Sequence, residues 1–243
     1  MPEQIPTNKL QFNLNEKQRW AFYSPATELL YGGAVAGGKS FLLRSSAIRW
    51  AELVPGFQYY LFRRTFPDLL RNHLRGPRNL LELLGPKIRY GSVKYNKQDN
   101  EFVWRETNSR IALCHCQYED DVVKYQGAEI HGLGLDELTH FTEYQYRFLR
   151  SRVRMIGLSV PEEFKRYLPR IEAGANPGGT GHKFVKEGWI ERDGIKVPPM
   201  EIWRAPKAEG GMLRQYVPAK LEDNPQALED DPDYESKLEG LGS

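Results

Sequence analysis

A glycine-rich stretch followed by a lysine and a serine lies near the amino-terminal end of the chain. It fits the spacing G-x-x-x-x-G-K-[ST], and its residues are Gly33, Ala34, Val35, Ala36, Gly37, Gly38, Lys39 and Ser40. Glycines let consecutive backbone N–H groups face phosphate oxygens without a Cβ clash, and a following helix adds the positive end of its dipole. In such a loop the lysine reaches the β- and γ-phosphates and the serine hydroxyl binds Mg²⁺. The spacing therefore predicts a phosphate-binding loop, with an incidental glycine turn as the alternative.

Two adjacent carboxylates, Asp136 and Glu137, follow an apolar run much later in the chain. Because the carboxyl ends of parallel strands meet at one edge of a sheet, we expect both side chains to lie beside the glycine loop. Asp136 is then predicted to hold Mg²⁺ together with Ser40, directly or through water. Glu137 is predicted to activate the attacking water as a general base. Without the loop, the pair could equally be surface acids.

Two amide side chains are further candidates for nucleotide contacts. Asn176 ends another apolar run, where an amide could contact the γ-phosphate or its water and report hydrolysis. The alternative is a simple Asn-Pro turn. Gln18 lies before the first apolar run and offers the donor and acceptor that read an adenine edge. The alternative is an exposed helix residue.

The elements that must position these residues alternate along the chain. Strands are predicted at residues 27–31, 57–63, 88–95, 101–105, 110–116, 129–135, 170–175, 200–204 and 213–218. Helices are predicted at residues 41–53, 66–84 with a break at 76–77, 143–153 and 182–189. This alternation indicates an α/β fold, a mainly parallel sheet with helices on both faces. The run of strands around 88–116 indicates a β-rich insertion.

Composition and charge indicate a globular protein. The 243 residues are 40% hydrophobic and 27% charged, which is typical of a globular α/β domain and not of a disordered or coiled-coil chain. The formal net charge of +2 combines +8 in residues 1–217 with −6 in residues 218–243. No run approaches the roughly 20 apolar residues that span a bilayer, and the first residues do not form a signal peptide.

Taken in order, these motifs resemble those of the large terminase subunits of tailed bacteriophages. The matching features are Gln18, the loop of residues 33–40, Asp136 with Glu137, residues 175–178 (ANPG), and a closing segment containing residues 216–225 (YVPAKLEDNP), 231–234 (DPDY) and Leu238. The loop is a generic motif, whereas the closing segment is fairly specific. The resemblance covers nearly the whole chain.

This resemblance implies a P-loop NTPase of the additional-strand type, working as an ATP-driven motor that moves viral DNA into a procapsid. It implies ATP and Mg²⁺ as cofactors, with Lys39, Glu137 and Asn176 as the catalytic residues. The implied partners are double-stranded DNA, a portal protein, a small terminase subunit and further copies in a homo-oligomeric ring, with no membrane. The implied location is the cytoplasm of the infected bacterial host and, transiently, the procapsid portal.

The resemblance also implies a division of the chain. Residues 1–217 are expected to form the motor domain, and residues 218–243 an acidic closing segment that leads toward a nuclease domain. That nuclease domain has no room in the sequence, so nuclease activity is expected to be absent from this chain.

Arginines depart from the family's pattern at two places. Some members carry an arginine inside the glycine loop, where residues 34–37 here are Ala, Val, Ala and Gly. Members also often carry an arginine next to a glycine before the acidic strand, where residues 124–127 here read KYQG. The arginine that acts on a neighbour's ATP is therefore unassigned, and Arg150, Arg152 and Arg154 are the first alternatives. Each could instead be a structural or solvated charge.

Basic residues also gather after the second predicted strand, interleaved with aromatic residues and leucines. They are Arg63, Arg64, Arg71, Arg75 and Arg78. As a group they could follow DNA phosphates without sequence preference, as a translocase requires. Each alone could be an ordinary surface charge.

Two other activities stay open from the sequence. A P-loop kinase acting on a small metabolite is disfavoured by the position of Glu137 and by the lack of an arginine-rich lid. A nucleotide-binding assembly module would bind ATP but hydrolyse little without a neighbouring subunit. Product analysis distinguishes the first, and the dependence of the rate on protein concentration distinguishes the second.

Overall fold

Nine strands form one mostly parallel sheet in the computed structural model, which describes residues 12–33 and 37–224. In chain order its strands are β1 (Glu28–Gly33), β2 (Gln58–Arg63), β3 (Val93–Asn96), β4 (Glu101–Trp104), β5 (Arg110–His115), β6 (Gly132–Asp136), β7 (Arg170–Ala175), β10 (Ile202–Arg204) and β11 (Leu213–Ala219). Across the sheet the order is β10-β11-β1-β7-β6-β2-β5-β4-β3. The six strands from β11 to β5 are parallel, and β10 at one end and β4 and β3 at the other are joined to them through antiparallel pairs. The strands β8 (Glu191–Arg192) and β9 (Ile195–Lys196) form a separate hairpin.

Helices connect the strands and cover both faces of the sheet. The α-helices are α1 (Glu16–Phe22), α2 (Lys39–Leu53), α3 (Phe66–Leu70), α4 (Leu80–Leu83), α5 (Gly85–Tyr90), α6 (Glu143–Ser151) and α7 (His182–Val185). Two π-helical turns, Arg71–Arg75 and Lys186–Ile190, extend α3 and α7. The break in the helical segment predicted over residues 66–84 is confirmed, because Arg75 ends one helical stretch and Leu80 begins the next.

One added strand separates the two motif-bearing strands of the sheet. β7 pairs with β1 on one side and with β6 on the other. It therefore lies between the strand that enters the glycine loop and the strand that ends at Asp136. This is the order expected for the additional-strand type of P-loop fold. It brings the carboxyl ends of β1, β7 and β6 to one edge.

The β-rich segment belongs to the main sheet. β5 is parallel to β2, and β4 and β3 extend the sheet from it as an antiparallel meander. The strand predicted over residues 88–95 is wrong in its first part, since α5 occupies Gly85–Tyr90 and β3 begins at Val93. The physical reason lies in the flanking residues. Pro86 favours the first turn of a helix, and Gly91 ends it at a φ of 85°.

Successive side chains of β2 point to opposite faces of the sheet, and each face has its own hydrophobic core. Leu61 joins the cluster beneath α2, whereas Phe62 joins the cluster beneath α6 and α7. On β6, glycines alternate with leucines. A Cβ at Gly132 or Gly134 would lie within 3.0 Å of the Tyr59 ring, so the glycines leave room for that buried aromatic side chain. Both faces of the strand that carries Asp136 are therefore closed to water.

The predicted boundary between residues 217 and 218 falls within β11. Residues 225–243 of the acidic closing segment lie outside the described residues. Within the described ranges, no helix has the length and apolarity needed to cross a membrane.

Candidate active site

The glycine loop leaves β1 at Gly33 and enters α2 at Lys39. Gly33 and Gly38 have φ values of 132° and 76°, a backbone conformation that strongly favours glycine. The carbonyl of Gly37 accepts a hydrogen bond of 3.0 Å from the Tyr31 hydroxyl. No side chain caps α2, so the N–H groups of its first turn are presented to the loop in the way that suits an anion. Residues 34–36, which include Ala34, Val35 and Ala36, lie outside the described residues, and their contact with phosphate stays a prediction.

Gln18 fastens α1 to this loop. Its Nε2 donates to the carbonyl of Gly38 at 2.9 Å, and its Oε1 accepts from the backbone N–H of Asn15 at 2.9 Å. The second bond is half of a capping box that begins α1. Gln18 is buried, so the alternative of an exposed helix residue is wrong. Its amide is engaged by backbone groups, and its contact with adenine stays a prediction.

Asn176 joins Lys39 to Glu137. The Lys39 ammonium donates to Oδ1 of Asn176 at 2.7 Å, and Nδ2 of Asn176 donates to the two Glu137 carboxylate oxygens at 3.1 and 3.2 Å. Lys39 is only 6% exposed. Burial lowers its pKa below the ordinary value, and the nearby Glu137 and Asp136 carboxylates act in the opposite direction. The three predicted catalytic side chains therefore lie in one hydrogen-bonded chain.

Glu137 is held in an unusual backbone conformation. Its φ and ψ are both 60°, in the left-handed region, which costs a residue with a Cβ on the order of 1 kcal/mol. The turn is followed by Leu138–His140, and the Thr139 hydroxyl donates to the backbone carbonyl of Asn176 at 3.0 Å. This bond ties the turn after β6 to the end of β7. The Glu137 carboxylate is directed across the edge of the sheet rather than along its own strand.

Asp136 is fully buried among donors. Ser40 Oγ lies 3.1 and 3.0 Å from its two oxygens, Arg63 Nη1 lies 2.8 Å from Oδ2, and His73 Nε2 lies 3.2 Å from Oδ2. Burial by itself would raise the pKa of Asp136. The combined effect of His73, Arg63 and Ser40 outweighs it and lowers the pKa to about 2. The carboxylate is thus ionised at neutral pH although no part of it reaches water.

The residues present fit a divalent cation that is shared with a nucleotide. Among residues 12–33 and 37–224, no group of three or more His, Cys, Asp and Glu side chains could hold a metal ion on its own. Mg²⁺ does not need such a group, because it keeps several waters and takes one or two protein oxygens together with substrate phosphates. Ser40 and Asp136 are the residues that would offer such oxygens at the mouth of the glycine loop.

A cleft opens beside Gln18. It has a volume of about 490 Å³ and lies between the start of α1, Arg78 and the end of the described chain. The Arg78 guanidinium lies over the Phe41 ring at 4.5 Å from the ring centroid, and Asn224 also lines the cleft. Because Gln18 contacts Gly38, the cleft continues directly from the glycine loop.

Sequence reasoning missed Arg63 and His73 as neighbours of the carboxylate. Arg63 had been grouped with surface bases, but it is 15% exposed and paired with Asp136. The available signal was its place at the carboxyl end of a core strand, since Phe62 and Leu135 are in register on β2 and β6. His73 gave no signal, because a π-helical turn carries it inward.

The other basic residues that follow β2 differ in their surroundings. Arg64 donates to the carbonyl of His140 at 2.9 Å. Arg71 and Arg75 are exposed, and Arg71 has only a long contact of 3.4 Å with Asp68. These two side chains are therefore available to solvent.

The three arginines considered as trans-acting residues also differ in exposure and in their contacts. Arg150 is 14% exposed, lies 3.7 Å from the buried Glu28 and donates to the carbonyl of Glu209. Arg152 is partly exposed, and its Nη1 donates to the carbonyl of Gln126 at 3.1 Å. Arg154 is 42% exposed and lies 3.7 Å from Glu129. Arg150 is thus built into the fold, whereas the other two lie at the surface.

The strand order and the loop define the fold as that of P-loop NTPases of the additional-strand type. No family model and no curated protein matches the sequence. Solved structures match it: the fold is that of the ATPase domains of large terminases from several phages.

Three of these structures illustrate the likeness. The large terminase of a thermophilic bacteriophage, in complex with ADP, has a TM-score of 0.60 and 16% identity over 87% of this chain and 46% of that one. The ATPase domain of the large terminase of Thermus phage P74-26 has a TM-score of 0.55 and 13% identity over 90% of this chain and 86% of that one. The large terminase of bacteriophage HK97 has a TM-score of 0.52 and 12% identity over 80% of this chain and 41% of that one. The chain spans less than half the length of the full-length terminases it matches.

Proposed function

We propose that this chain is the ATP-hydrolysing motor domain of a viral DNA-packaging terminase, which translocates double-stranded DNA into a procapsid. The observation that carries the proposal is the connection of Lys39 to Glu137 through Asn176, next to the Ser40–Asp136 pair. A phosphate-binding lysine and a carboxylate placed to activate water are both needed for hydrolysis. The likeness to terminase ATPase domains supports the same activity.

Each side chain has a role in this proposal. The first turn of α2 and Lys39 bind the β- and γ-phosphates of ATP, with the positive end of the helix dipole toward them. Ser40 and Asp136 hold Mg²⁺, which when bound neutralises charge that develops on the phosphate oxygens. Glu137 accepts a proton from the attacking water.

Asn176 is proposed to couple phosphate binding to the base. Its Oδ1 accepts from Lys39 while its Nδ2 holds the carboxylate of Glu137. A γ-phosphate that attracts the Lys39 ammonium weakens the first bond, and the amide and the carboxylate then rearrange together. Loss of the γ-phosphate reverses the change. Thr139, which donates to the Asn176 carbonyl, extends the rearrangement into the turn after β6.

The cleft beside Gln18 is proposed to take the nucleotide base. A volume of about 490 Å³ exceeds what a purine ring needs, and the cleft opens at the loop where the phosphates bind. The Arg78 guanidinium, already lying over Phe41, offers a flat cationic surface to a base. The Gln18 amide lies at the junction, so it can select adenine only after exchanging its bond with Gly38.

Double-stranded DNA is the proposed substrate of translocation. The exposed Arg71 and Arg75 lie on the π-helical turn next to the carboxylate site, and their charges suit phosphate contacts without sequence preference. A portal protein, a small terminase subunit and further copies in a ring are the proposed protein partners. The proposed place of action is the infected bacterial cytoplasm, transiently on the procapsid portal.

Steady-state ATP hydrolysis with and without linear double-stranded DNA tests this function. We expect ADP and phosphate to form without any small acceptor, and the rate to rise when DNA is added. Lys39→Ala should abolish turnover. Arg71→Gln with Arg75→Gln should lower DNA affinity several-fold at low salt and reduce the salt dependence.

Exposed bases on the β8–β9 hairpin give the matched control. Arg192→Gln with Lys196→Gln removes the same charge from another surface and should leave DNA affinity unchanged. ADP formation that requires a small-molecule acceptor would instead identify a kinase. ATP binding without turnover at any protein concentration would identify an assembly module.

A further inference from the structure

The two oxygens of the Asp136 carboxylate have unequal surroundings. Oδ2 has three neighbours, with Arg63 Nη1 at 2.8 Å, Ser40 Oγ at 3.0 Å and His73 Nε2 at 3.2 Å. Oδ1 has the Ser40 hydroxyl at 3.1 Å. A carboxylate oxygen has about two lone-pair directions, and the one Ser40 hydroxyl proton can serve only one of the two oxygens, so Oδ1 has more room for a further ligand than Oδ2.

Arg63 reaches Oδ2 from the neighbouring strand. It is the last residue of β2, which lies next to β6 with Phe62 opposite Leu135. Its guanidinium therefore approaches the carboxylate from the side of the sheet that leads away from the glycine loop, since β7 and β1 lie on the other side.

His73 reaches the same oxygen from the π-helical turn Arg71–Arg75. Such wide turns occur frequently at functional sites, because they redirect one side chain. Its other ring nitrogen, Nδ1, lies 3.5 Å from Nη1 of Arg44, a group that can only donate. This contact favours the tautomer with the ring proton on Nε2, which lies 3.2 Å from Oδ2 of Asp136 as a close polar contact without full hydrogen-bond geometry.

Arg44 fixes the backbone on both sides of His73. It donates to the carbonyl of Asn72 at 2.9 Å and to that of Pro77 at 3.3 Å. Arg44 lies on α2 one turn after Ser40, so a single helix carries the hydroxyl at the carboxylate and the arginine that supports the imidazole.

We propose that Arg63 and His73 are positioning residues for the cation site: they hold Oδ2 of Asp136 so that Oδ1 and the Ser40 hydroxyl are the oxygens offered to a divalent cation. The inference rests on the proposed function, because the cation is the one that accompanies a bound nucleotide. Arg63 and His73 themselves touch neither ligand. Partners that orient a metal-binding carboxylate typically affect metal affinity 10- to 100-fold.

The Mg²⁺ dependence of ADP binding, measured by calorimetry on the whole chain, tests this role. Arg63→Gln should weaken the apparent Mg²⁺ affinity of the ADP-bound protein about 10- to 100-fold. ADP affinity in EDTA should stay within about twofold. Arg63→Lys, which keeps the charge, should recover part of the loss. His73→Leu should weaken Mg²⁺ affinity in the same way, and His73→Gln, which keeps a donor, should recover part of it.

Arg64→Gln is the matched control. It removes the same group from the next residue, whose side chain donates to the carbonyl of His140, and should leave Mg²⁺ affinity unchanged. Thermal unfolding in EDTA shows which variants fold. If Arg63→Gln does not fold, the Arg63→Lys and His73→Gln proteins still report the affinity change.

Two outcomes overturn the inference. Unchanged Mg²⁺ affinity in Arg63→Gln and His73→Leu would give these residues a purely structural role. Tighter Mg²⁺ binding in Arg63→Gln would make Arg63 a competitor of the cation. A wild-type protein that binds no ADP with or without Mg²⁺ contradicts the proposed function itself, so the two failures are distinguishable.

Discussion

Asn176 Nδ2 donates to both carboxylate oxygens of Glu137, at 3.1 and 3.2 Å. This contact joins the ends of two neighbouring parallel strands, β7 and β6. The Oδ1 atom of the same amide accepts from Lys39, and its proposed role between the lysine and the base rests on these two contacts.

Replacing Asn176 with alanine should uncouple the base from the lysine. We expect the ATP turnover number to fall about 10²-fold or more, the size of a general-base contribution, while ADP affinity changes by less than about threefold. Steady-state kinetics and ADP titration check both numbers. Asn96→Ala, at the last residue of the edge strand β3, is the control and should leave turnover unchanged. A turnover number of Asn176→Ala close to wild type would show that the amide plays no part in hydrolysis.

Gly32→Ala should separate β1 from β7 next to Asn176. A Cβ at Gly32 would lie 2.1 Å from the carbonyl oxygen of Ala175, which is backbone and cannot give way without moving the strand. We expect the free energy of unfolding to fall by about 1–3 kcal/mol. Gly127→Ala, at a glycine with open space around it, should change that free energy by less than about 0.5 kcal/mol. Equal denaturant midpoints for the two variants would contradict the close packing of β1 on β7.

Arg150→Ala should lower the stability of the fold, whereas Arg152→Ala should change how ATP turnover depends on protein concentration. Arg150 lies against the buried Glu28, so its loss should lower the free energy of unfolding by about 1–3 kcal/mol. Arg152 lies at the surface beside the Gln126 carbonyl, and its loss should leave stability within about 0.5 kcal/mol.

We expect Arg152→Ala instead to flatten the rise of ATP turnover per subunit with protein concentration, because it removes a charge that a neighbouring subunit could use. Urea unfolding and a concentration series measure the two effects. If Arg152→Ala keeps the wild-type concentration dependence, Arg152 is not the trans-acting residue.

We expect the free energy of unfolding to decrease at low pH, because Asp136 becomes protonated. Its pKa is lowered from the ordinary 3.8 to about 2, so the folded state favours the ionised form. The resulting stabilisation is present above about pH 4 and is lost as the pH falls toward 2. For a shift of nearly two units it amounts to about 2 kcal/mol.

Unfolding free energies of wild type and Asp136→Asn, measured between pH 2 and 6, check this sign. The Asp136→Asn protein should lack this part of the pH dependence and be less stable at pH 6, where Arg63 and His73 lose their partner. Glu187→Gln, at an exposed carboxylate, should keep the wild-type slope. If the unfolding free energies of wild type and Asp136→Asn change with pH in parallel, Asp136 is not the source of this pH dependence.

The sequence was sufficient to predict the site residues that lie at or directly after the carboxyl ends of strands. Lys39 and Ser40 begin the helix after β1, Asp136 ends β6 with Glu137 directly after it, and Asn176 follows β7. A parallel sheet brings these ends together whatever the side chains between them, so alternation of strands and helices was sufficient to predict their proximity.

Arg63 and His73 could not be predicted in the same way. An arginine next to another arginine reads as a surface charge, and only the pairing of β2 with β6 turns Arg63 toward Asp136. The π-helical turn that brings His73 inward has no short-range sequence pattern, because it depends on contacts between Arg44 and the backbone at residues 72 and 77. Tertiary contacts therefore place Arg63 and His73 beside Asp136, and the local sequence pattern does not predict that placement.

The ATP turnover number of Glu137→Gln is the sharpest test of Glu137 as the general base of ATP hydrolysis. Glutamine keeps the size of the side chain but cannot accept a proton from water. With saturating Mg²⁺ and ATP, we expect turnover to fall at least about 10²-fold relative to wild type, while ATP affinity stays within about threefold. A Glu137→Gln protein that hydrolyses ATP at close to the wild-type rate would contradict the assignment of Glu137 as the base, and with it the proposed motor mechanism.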